Sequence, residues 1–363
     1  MTLTPKFIFA VCQIGAEPAL KAEVARNWPE YRFAYSRPGF VTFKVDENHP
    51  PSTGFDLRSV FARTYGISLG KVTGVDHAAL AEQVWQLANG IPVQHLHVWR
   101  RDSTAAGERG FDPRPPASCL EIGELILQNR PNTDGEQRRV GLNEVAQAEQ
   151  TVLDCVLVEP NEWWIGTHRA SSISSRWPGG VPPIELPEHA VSRAYLKMAE
   201  ALRWSKLPIA VGDHCIEIGS APGGAAQCLL DEGLHVMGID PAEVSPAVVE
   251  HPNFTHVRKR GSEVKRREFR DAKWLVADSN VAPNHTLDTL EAIVTYPDVY
   301  VRGMLLTLKL LDWKLTEEIP GYMARVRSWG YDYVKARQLA FNRQEICVMA
   351  LQRRSFRRFI RKR

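Results

Sequence analysis

Between Cys215 and Asp240 the chain sets glycines, a helix start and an acid in the order that a nucleoside site requires. Cys215-Ile216-Glu217-Ile218 reads as a short buried strand, and Gly219 breaks it. Ser220-Ala221-Pro222 follows, with Pro222 suited to the first position of a helix because that position needs no N–H. Gly223 and Gly224 strip the backbone of side chains, as close approach of a ligand requires. The N-terminus of the expected helix offers free N–H groups and partial positive charge to an anion or carboxylate. A second strand, His235 to Ile239, ends on Asp240, an acid placed to accept hydrogen bonds from ribose hydroxyls. The turn lacks the G-x-G-x-x-G spacing of a dinucleotide site. An ordinary strand-to-helix turn would share the glycines but has no need of the acid.

Two further strands end on groups that can do chemistry. Trp274 to Asp278 closes on a carboxylate, and Met304 to Lys309 closes on an amine. Ligands of open α/β sheets bind at such carboxyl ends. Strands are also expected at 254–257 and 345–351, and helices at 192–202, 287–295 and 317–329. Alternation of this kind implies a mostly parallel sheet with helices on both faces, an α/β Rossmann-like domain.

Upstream the pattern changes. Strands at 7–12, 31–36 and 39–45, with helices at 18–28 and 57–64, give a β-α-β-β order of ferredoxin-like α+β character. A helix at 78–87, a strand at 94–100, a long loop at 102–118 and a hairpin around Pro160-Asn161 follow. Of Trp163 and Trp164, one is expected in the core and one at its rim. Trp177-Pro178-Gly179-Gly180 and Pro182-Pro183 read as a linker. The expected domains are therefore 1–75, ferredoxin-like; 76–174, an RNA-binding-like region; 175–188, the linker; and 189–363, the Rossmann-like domain.

With 363 residues, 44% hydrophobic and 24% charged, the chain is globular and long enough for two or three domains. Net charge is only +3, but Arg258–Arg270 and Arg353–Arg363 each hold seven basic residues. Such clusters suit a polyanionic partner, although solvated faces also carry them. Six scattered cysteines form no C-x-x-C pair, so neither disulfides nor zinc are expected. His95 and His97 are read as structural, and no metal is expected. No leader or membrane-length apolar run is read, so a cytoplasmic location without membrane partners is expected. Gly66-x-x-x-Gly70-Lys71-Val72 falls short of a P-loop in spacing and in its last residue.

The Ala221-Pro222-Gly223-Gly224 turn followed by Asp240 resembles motif I of S-adenosylmethionine (SAM) methyltransferases, and more narrowly the FtsJ-like ribose 2′-O-methyltransferases. Ser192-Arg193, Leu196-Lys197, Leu308-Lys309-Leu310, Gln338-Leu339 and Arg343-Gln344-Glu345 extend the resemblance to the RlmM family of large-subunit rRNA ribose methyltransferases. Cys12 to Glu17 and Pro38 to Val41 resemble the opening of THUMP-containing RNA-modification enzymes. The resemblance implies a catalytic tetrad of Lys197, Asp278, Lys309 and Glu345. It implies SAM held by Ser192, Gly219, Ser220, Ala221, Pro222, Gly223, Gly224, Asp240 and Asp278. RNA, in the first place rRNA, is the implied partner, and a monomer the favoured state.

A lysine general base must lose its proton, which burial and a neighbouring cation both promote; Lys309, with Lys197 beside it, would meet both conditions. Asp278 and Glu345 would orient the two amines. The sequence departs from the family at Lys259-Arg260-Gly261, where an acid is usual, and at Ser279 to Pro283. Alternatives are action on tRNA or another RNA, an RNA-binding protein that keeps the fold without catalysis, and a methyltransferase for protein or small molecules.

Overall fold

The structure is a computed structural model that describes residues 5–52, 54–131 and 139–353. The chain divides into two units, Met1–Pro183 and Ile184–Arg363. The basic tail beyond Arg353 and part of the polar stretch before Arg139 lie outside the described residues.

The first unit runs β1 (Phe7–Val11), α1 (Glu17–Asn27), β2 (Tyr31–Arg37), β3 (Phe40–Val45), β4 (Thr64–Thr73), α2 (His77–Leu87), β5 (His95–Arg100), α3 (Ala117–Gln128), β6 (Gly141–Leu142), β7 (Thr151–Glu159) and β8 (Glu162–Arg169). Its strands form one eight-stranded mixed sheet in the order β2-β3-β1-β4-β8-β7-β5-β6. Leu80, Val84, Cys119 and Ile126 of α2 and α3 pack on Leu96, Cys155, Trp163 and Ile165, which share one face of the sheet. Lys21 of α1 bonds Ser36 and lies over the ring of Phe33, so α1 covers the same face farther along. Trp163 is fully buried, whereas Trp164, pointing the other way, is half-buried at the rim.

Three expectations for this unit need correction. Residues 57–63 are not helical, because the Glu23 carboxylate takes the amides of Val60 and Phe61 and the hydroxyl of Ser59. Thr64 to Thr73, not read from the sequence, is a ten-residue strand, and it absorbs the glycines of the near P-loop. The expected linker is built into the fold where it begins. Trp177 is buried, Gly179 lies against the Trp99 ring, and the Arg63 guanidinium donates to the Gly179 carbonyl. Gly180 has φ +72°, and a Cβ there would sit 2.2 Å from the Arg63 carbonyl oxygen. These glycines permit close packing and do not loosen the chain.

The second unit runs α4 (Ala194–Ser205), β9 (His214–Ile218), α5 (Gly224–Asp231), β10 (His235–Ile239), α6 (Pro246–Val249), β11 (Phe254–Val257), β12 (Trp274–Ala277), α7 (Pro283–Val294), β13 (Gly303–Lys309), α8 (Ile319–Ser328), β14 (Tyr333–Arg337) and β15 (Glu345–Leu351). The seven strands lie in the order β11-β10-β9-β12-β13-β15-β14. The expected parallel arrangement holds except for β15, which runs against both neighbours and makes the sheet mixed. A connection as short as the one from β14 to β15 closes a hairpin and cannot cross over. The order reverses between β9 and β12, so the crevice at their carboxyl ends is the topological switch point where such folds bind ligands. Cys215, Leu229, Val236, Trp274, Leu305 and Met349 belong to the core beneath it.

All six cysteines are free and buried. Among the described residues no helix is long and apolar enough to cross a membrane, and no group of His, Cys, Asp and Glu is placed to hold a metal ion.

Candidate functional site

The turn after β9 is shaped by contacts inside the protein. Gly219 has φ +85°, and a Cβ on it would lie 2.6 Å from the carbonyl oxygen of Asp278, across the switch point. A Cβ on Gly224 would meet the Ser192 hydroxyl at 2.2 Å, and one on Gly223 would meet Val248 at 2.8 Å. Gly223 and Gly224 thus let protein neighbours close in. With φ +115°, Gly223 cannot be helical, and α5 begins at Gly224 and not at Pro222. No side chain caps α5, so its first-turn amides keep donor capacity for a ligand.

Asp240 braces this turn. Its carboxylate accepts from the backbone N–H of Ala221 at 3.1 Å and of Ala242 at 2.8 Å, leaving further lone pairs on both oxygens. Two buried polar atoms beside it lack protein partners: the Ser220 hydroxyl and Oε2 of Glu217. Burial pushes the Glu217 carboxyl well above the ordinary range, and Asp278 and Asp240 push it further. Sequence reasoning passed over Glu217. The signal was present, since an acid between two isoleucines in a strand covered on both faces is out of place. Orphaned polar atoms, uncapped amides and a braced acid in one crevice fit the polar ends of SAM.

The four residues of the expected tetrad come together. The Lys197 amine contacts Asp278 at 2.5 Å and Glu345 at 3.1 Å. The Lys309 amine contacts Asp278 at 2.7 Å and Glu345 at 2.5 Å. Each lysine bridges both carboxylates and each carboxylate bridges both lysines, so the ring closes with no net charge. Burial alone would raise both carboxyls. The ammonium groups of Lys197 and Lys309 outweigh it and hold Asp278 and Glu345 below their ordinary values. Burial would lower Lys197, yet Asp278 and Glu345 outweigh it and raise its pKa. The nearest charges to each lysine are therefore these two anions.

A second buried acid aligns the ring. Glu200, one turn after Lys197 on α4, accepts from the amides of Ala340 and Phe341 in the loop before β15. That loop also supplies the Asn342 amide group to Glu345. Glu200 therefore ties the helix bearing Lys197 to the loop leading into Glu345, and nothing in its sequence setting marks it. At the third strand, Arg260 is exposed, and the acid this turn does carry is Glu263, whose carboxylate accepts the Arg260 N–H.

An open α/β sheet with this turn and ring at its switch point is that of a SAM-dependent methyltransferase, and residues 190–319 match the FtsJ-like methyltransferase family. Residues 190–319 are an FtsJ-like methyltransferase domain, and SAM is the cofactor of its class. Beyond the domain, the chain is similar to proteins called "Ribosomal RNA large subunit methyltransferase M". One, from Xanthomonas campestris pv. campestris (strain B100), is 26% identical over 365 residues, covering 95% of this chain and 99% of the relative. Another, from Halorhodospira halophila, is 30% identical over 178 residues, 48% of this chain and 51% of the relative, so that match spans about half its length. A solved structure, the Methanococcus jannaschii fibrillarin pre-rRNA processing protein, is 12% identical with a TM-score of 0.35, covering 55% of this chain and 81% of that one. A likeness that slight adds nothing to the assignment.

Proposed function

We propose that the protein methylates a ribose 2′-hydroxyl of large-subunit rRNA. The observation that carries this reading is the closed ring of Lys197, Asp278, Lys309 and Glu345 at the carboxyl edge of the sheet, beside the turn that fits SAM. The names of the full-length relatives point to the same RNA. SAM would supply a methyl group on a positively charged sulfur, a charge that disfavours a further cation nearby. Lys309, at the end of β13, first gives its own proton to solvent and then, as the neutral amine, takes the proton of the attacking hydroxyl. Lys197 stays charged, as its raised pKa requires, and holds both carboxylates in place. Asp278 and Glu345 then stabilise the Lys309 ammonium that forms. Ser192, Gly219 to Gly224 and Asp240 hold the cofactor, and Asp278 joins the ring to that pocket. The first unit, which we read as a THUMP-like region, captures the RNA.

The test is to map ribose methylation across rRNA and tRNA from cells with and without the gene, and to restore it in vitro with purified protein and SAM. Loss of one 2′-O-methyl group in large-subunit rRNA is expected. A missing methyl group in tRNA alone, or on a base, overturns the assignment.

A further inference from the structure

The α-helices of the first unit lie on one face of its sheet, and on the other the turn at Pro178–Gly180 covers Trp99. Register fixes what the opposite face carries at the β2 end. Tyr35 pairs with Thr42 and Arg37 with Phe40, so both point away from α1, as does Trp164, the partner of Lys71. The rings of Tyr35 and Trp164 stack at 5.8 Å with 17° between their planes, and Trp164 leans on buried Phe40 at 5.2 Å. The Arg37 guanidinium lies over the Tyr35 ring at 5.8 Å. Arg32 and Lys44, cross-strand partners, project from the same face and are exposed. Phe7, the partner of Lys44 on β1, is 37% exposed. Among the described residues, none of Arg32, Arg37 and Lys44 is in an ion pair, and the acid beside Trp164 on its strand, Glu162, is already held by Lys71 and the Trp164 indole.

Cations without carboxylate partners mark a face that takes an anion, and a stacked ring column gives that anion something flat to rest on. Phosphates with exposed bases satisfy both, and only unpaired bases can reach the rings. We propose that the β2 end of this face binds a single-stranded segment of RNA, one base stacking on Tyr35 in line with Trp164, and the flanking phosphates held by Arg32, Arg37 and Lys44. The inference rests on the reading of the protein as an RNA methyltransferase and gives that reading a capture site.

The experiment measures binding of full-length protein to a short labelled single-stranded RNA, to the corresponding duplex and to heparin, over a salt series. Tyr35→Ala should weaken single-strand binding roughly 5- to 100-fold at every salt concentration, Tyr35→Phe should restore it, and duplex and heparin binding should not respond. The combined Arg32→Glu, Arg37→Glu, Lys44→Glu variant should flatten the salt slope for single-stranded RNA by about 2, at ~0.7 per phosphate contact. An unchanged melting transition of the first unit in each variant shows that its fold is intact. Single-strand binding indifferent to Tyr35→Ala overturns the proposal, as does an equal loss for heparin, which would mark a general polyanion or acidic-protein surface. Wild-type methyl transfer to rRNA is scored separately. Ring-dependent binding without methyl transfer retains the face and rejects the enzymatic reading; methyl transfer with ring-independent binding does the reverse.

Discussion

Lys309 and Glu345 are direct partners across the antiparallel pair β13–β15, their charged groups 2.5 Å apart. Lys309 is the last residue of its strand and Glu345 the first of its own. The one reversed strand of the sheet thus begins at the edge where the others end. A parallel strand in that place would deliver its first residue to the opposite edge, and the ring would lose a carboxylate.

That pairing makes Lys309→Met a clean test of the base. The variant keeps the length and apolar stem of the side chain but leaves two carboxylates with one ammonium. Methyl transfer should fall by roughly 100-fold or more, the usual contribution of general-base catalysis. SAM affinity by calorimetry should change little. Near-normal single-turnover methylation would remove Lys309 from the role.

Asp240→Ala probes the cofactor pocket. The carboxylate braces Ala221 and Ala242 and faces the crevice, so the change removes both a turn support and a hydrogen-bond acceptor. SAM binding should weaken by ~1–3 kcal/mol, as for a lost charge-assisted partner. Unchanged affinity in a folded variant would place SAM elsewhere.

Much of the second unit was legible because its signals are local. The turn glycines, the strand-end acid and the strands at 254–257 and 345–351 all follow from composition and spacing. The ring was legible only through family resemblance, since its members come from four separate segments. Three features escaped for one physical reason, which is that their cause lies far along the chain. Residues 57–63 are held by Glu23, Gly180 is needed by Arg63, and Glu200 acts on a loop 140 residues later. Side-chain to backbone bonds of that range leave no periodic trace in sequence.

Glu217 gives the stability a pH dependence of unusual sign for an acid. Its raised pKa keeps it neutral in the fold, while in the unfolded chain it ionises in the ordinary range around 4.5. As pH rises above that range the unfolded state releases a proton that the folded state retains, so stability falls, by up to ~1.4 kcal/mol per pH unit. Glu217→Gln removes this term. The melting temperature of the variant relative to wild type should therefore climb as pH rises above about 5. A constant difference would mean that Glu217 is ionised in the folded protein.

Gly180→Ala tests whether the segment around Trp177 is built into the first unit. The substitution forces an L side chain to φ +72° and drives its Cβ into the Arg63 carbonyl. The strained backbone alone costs about 1–3 kcal/mol, and the clash adds to it. The first unit should melt several degrees lower by calorimetry, with SAM affinity of the second unit unchanged. A flexible linker would tolerate alanine with no shift.

The division of labour between the units is tested by separating them. The second unit has its own core and holds the turn, the ring and Glu200, so a fragment from Ile184 onward should fold and bind SAM like the whole chain. Its sequence gives it charge but little means of reading RNA. The first unit, by our proposal, supplies capture and raises the local concentration of RNA at the ring, an advantage lost on cutting. The fragment should therefore bind rRNA much more weakly than the intact protein and methylate it with little site selectivity. Removing 355–363 instead should weaken RNA binding broadly and flatten its salt dependence, because those basic residues contribute charge alone. Filter binding over a salt series, with methylation mapping, compares the three proteins. If the fragment binds and methylates the RNA as well as the whole chain does, the first unit is not the capture module.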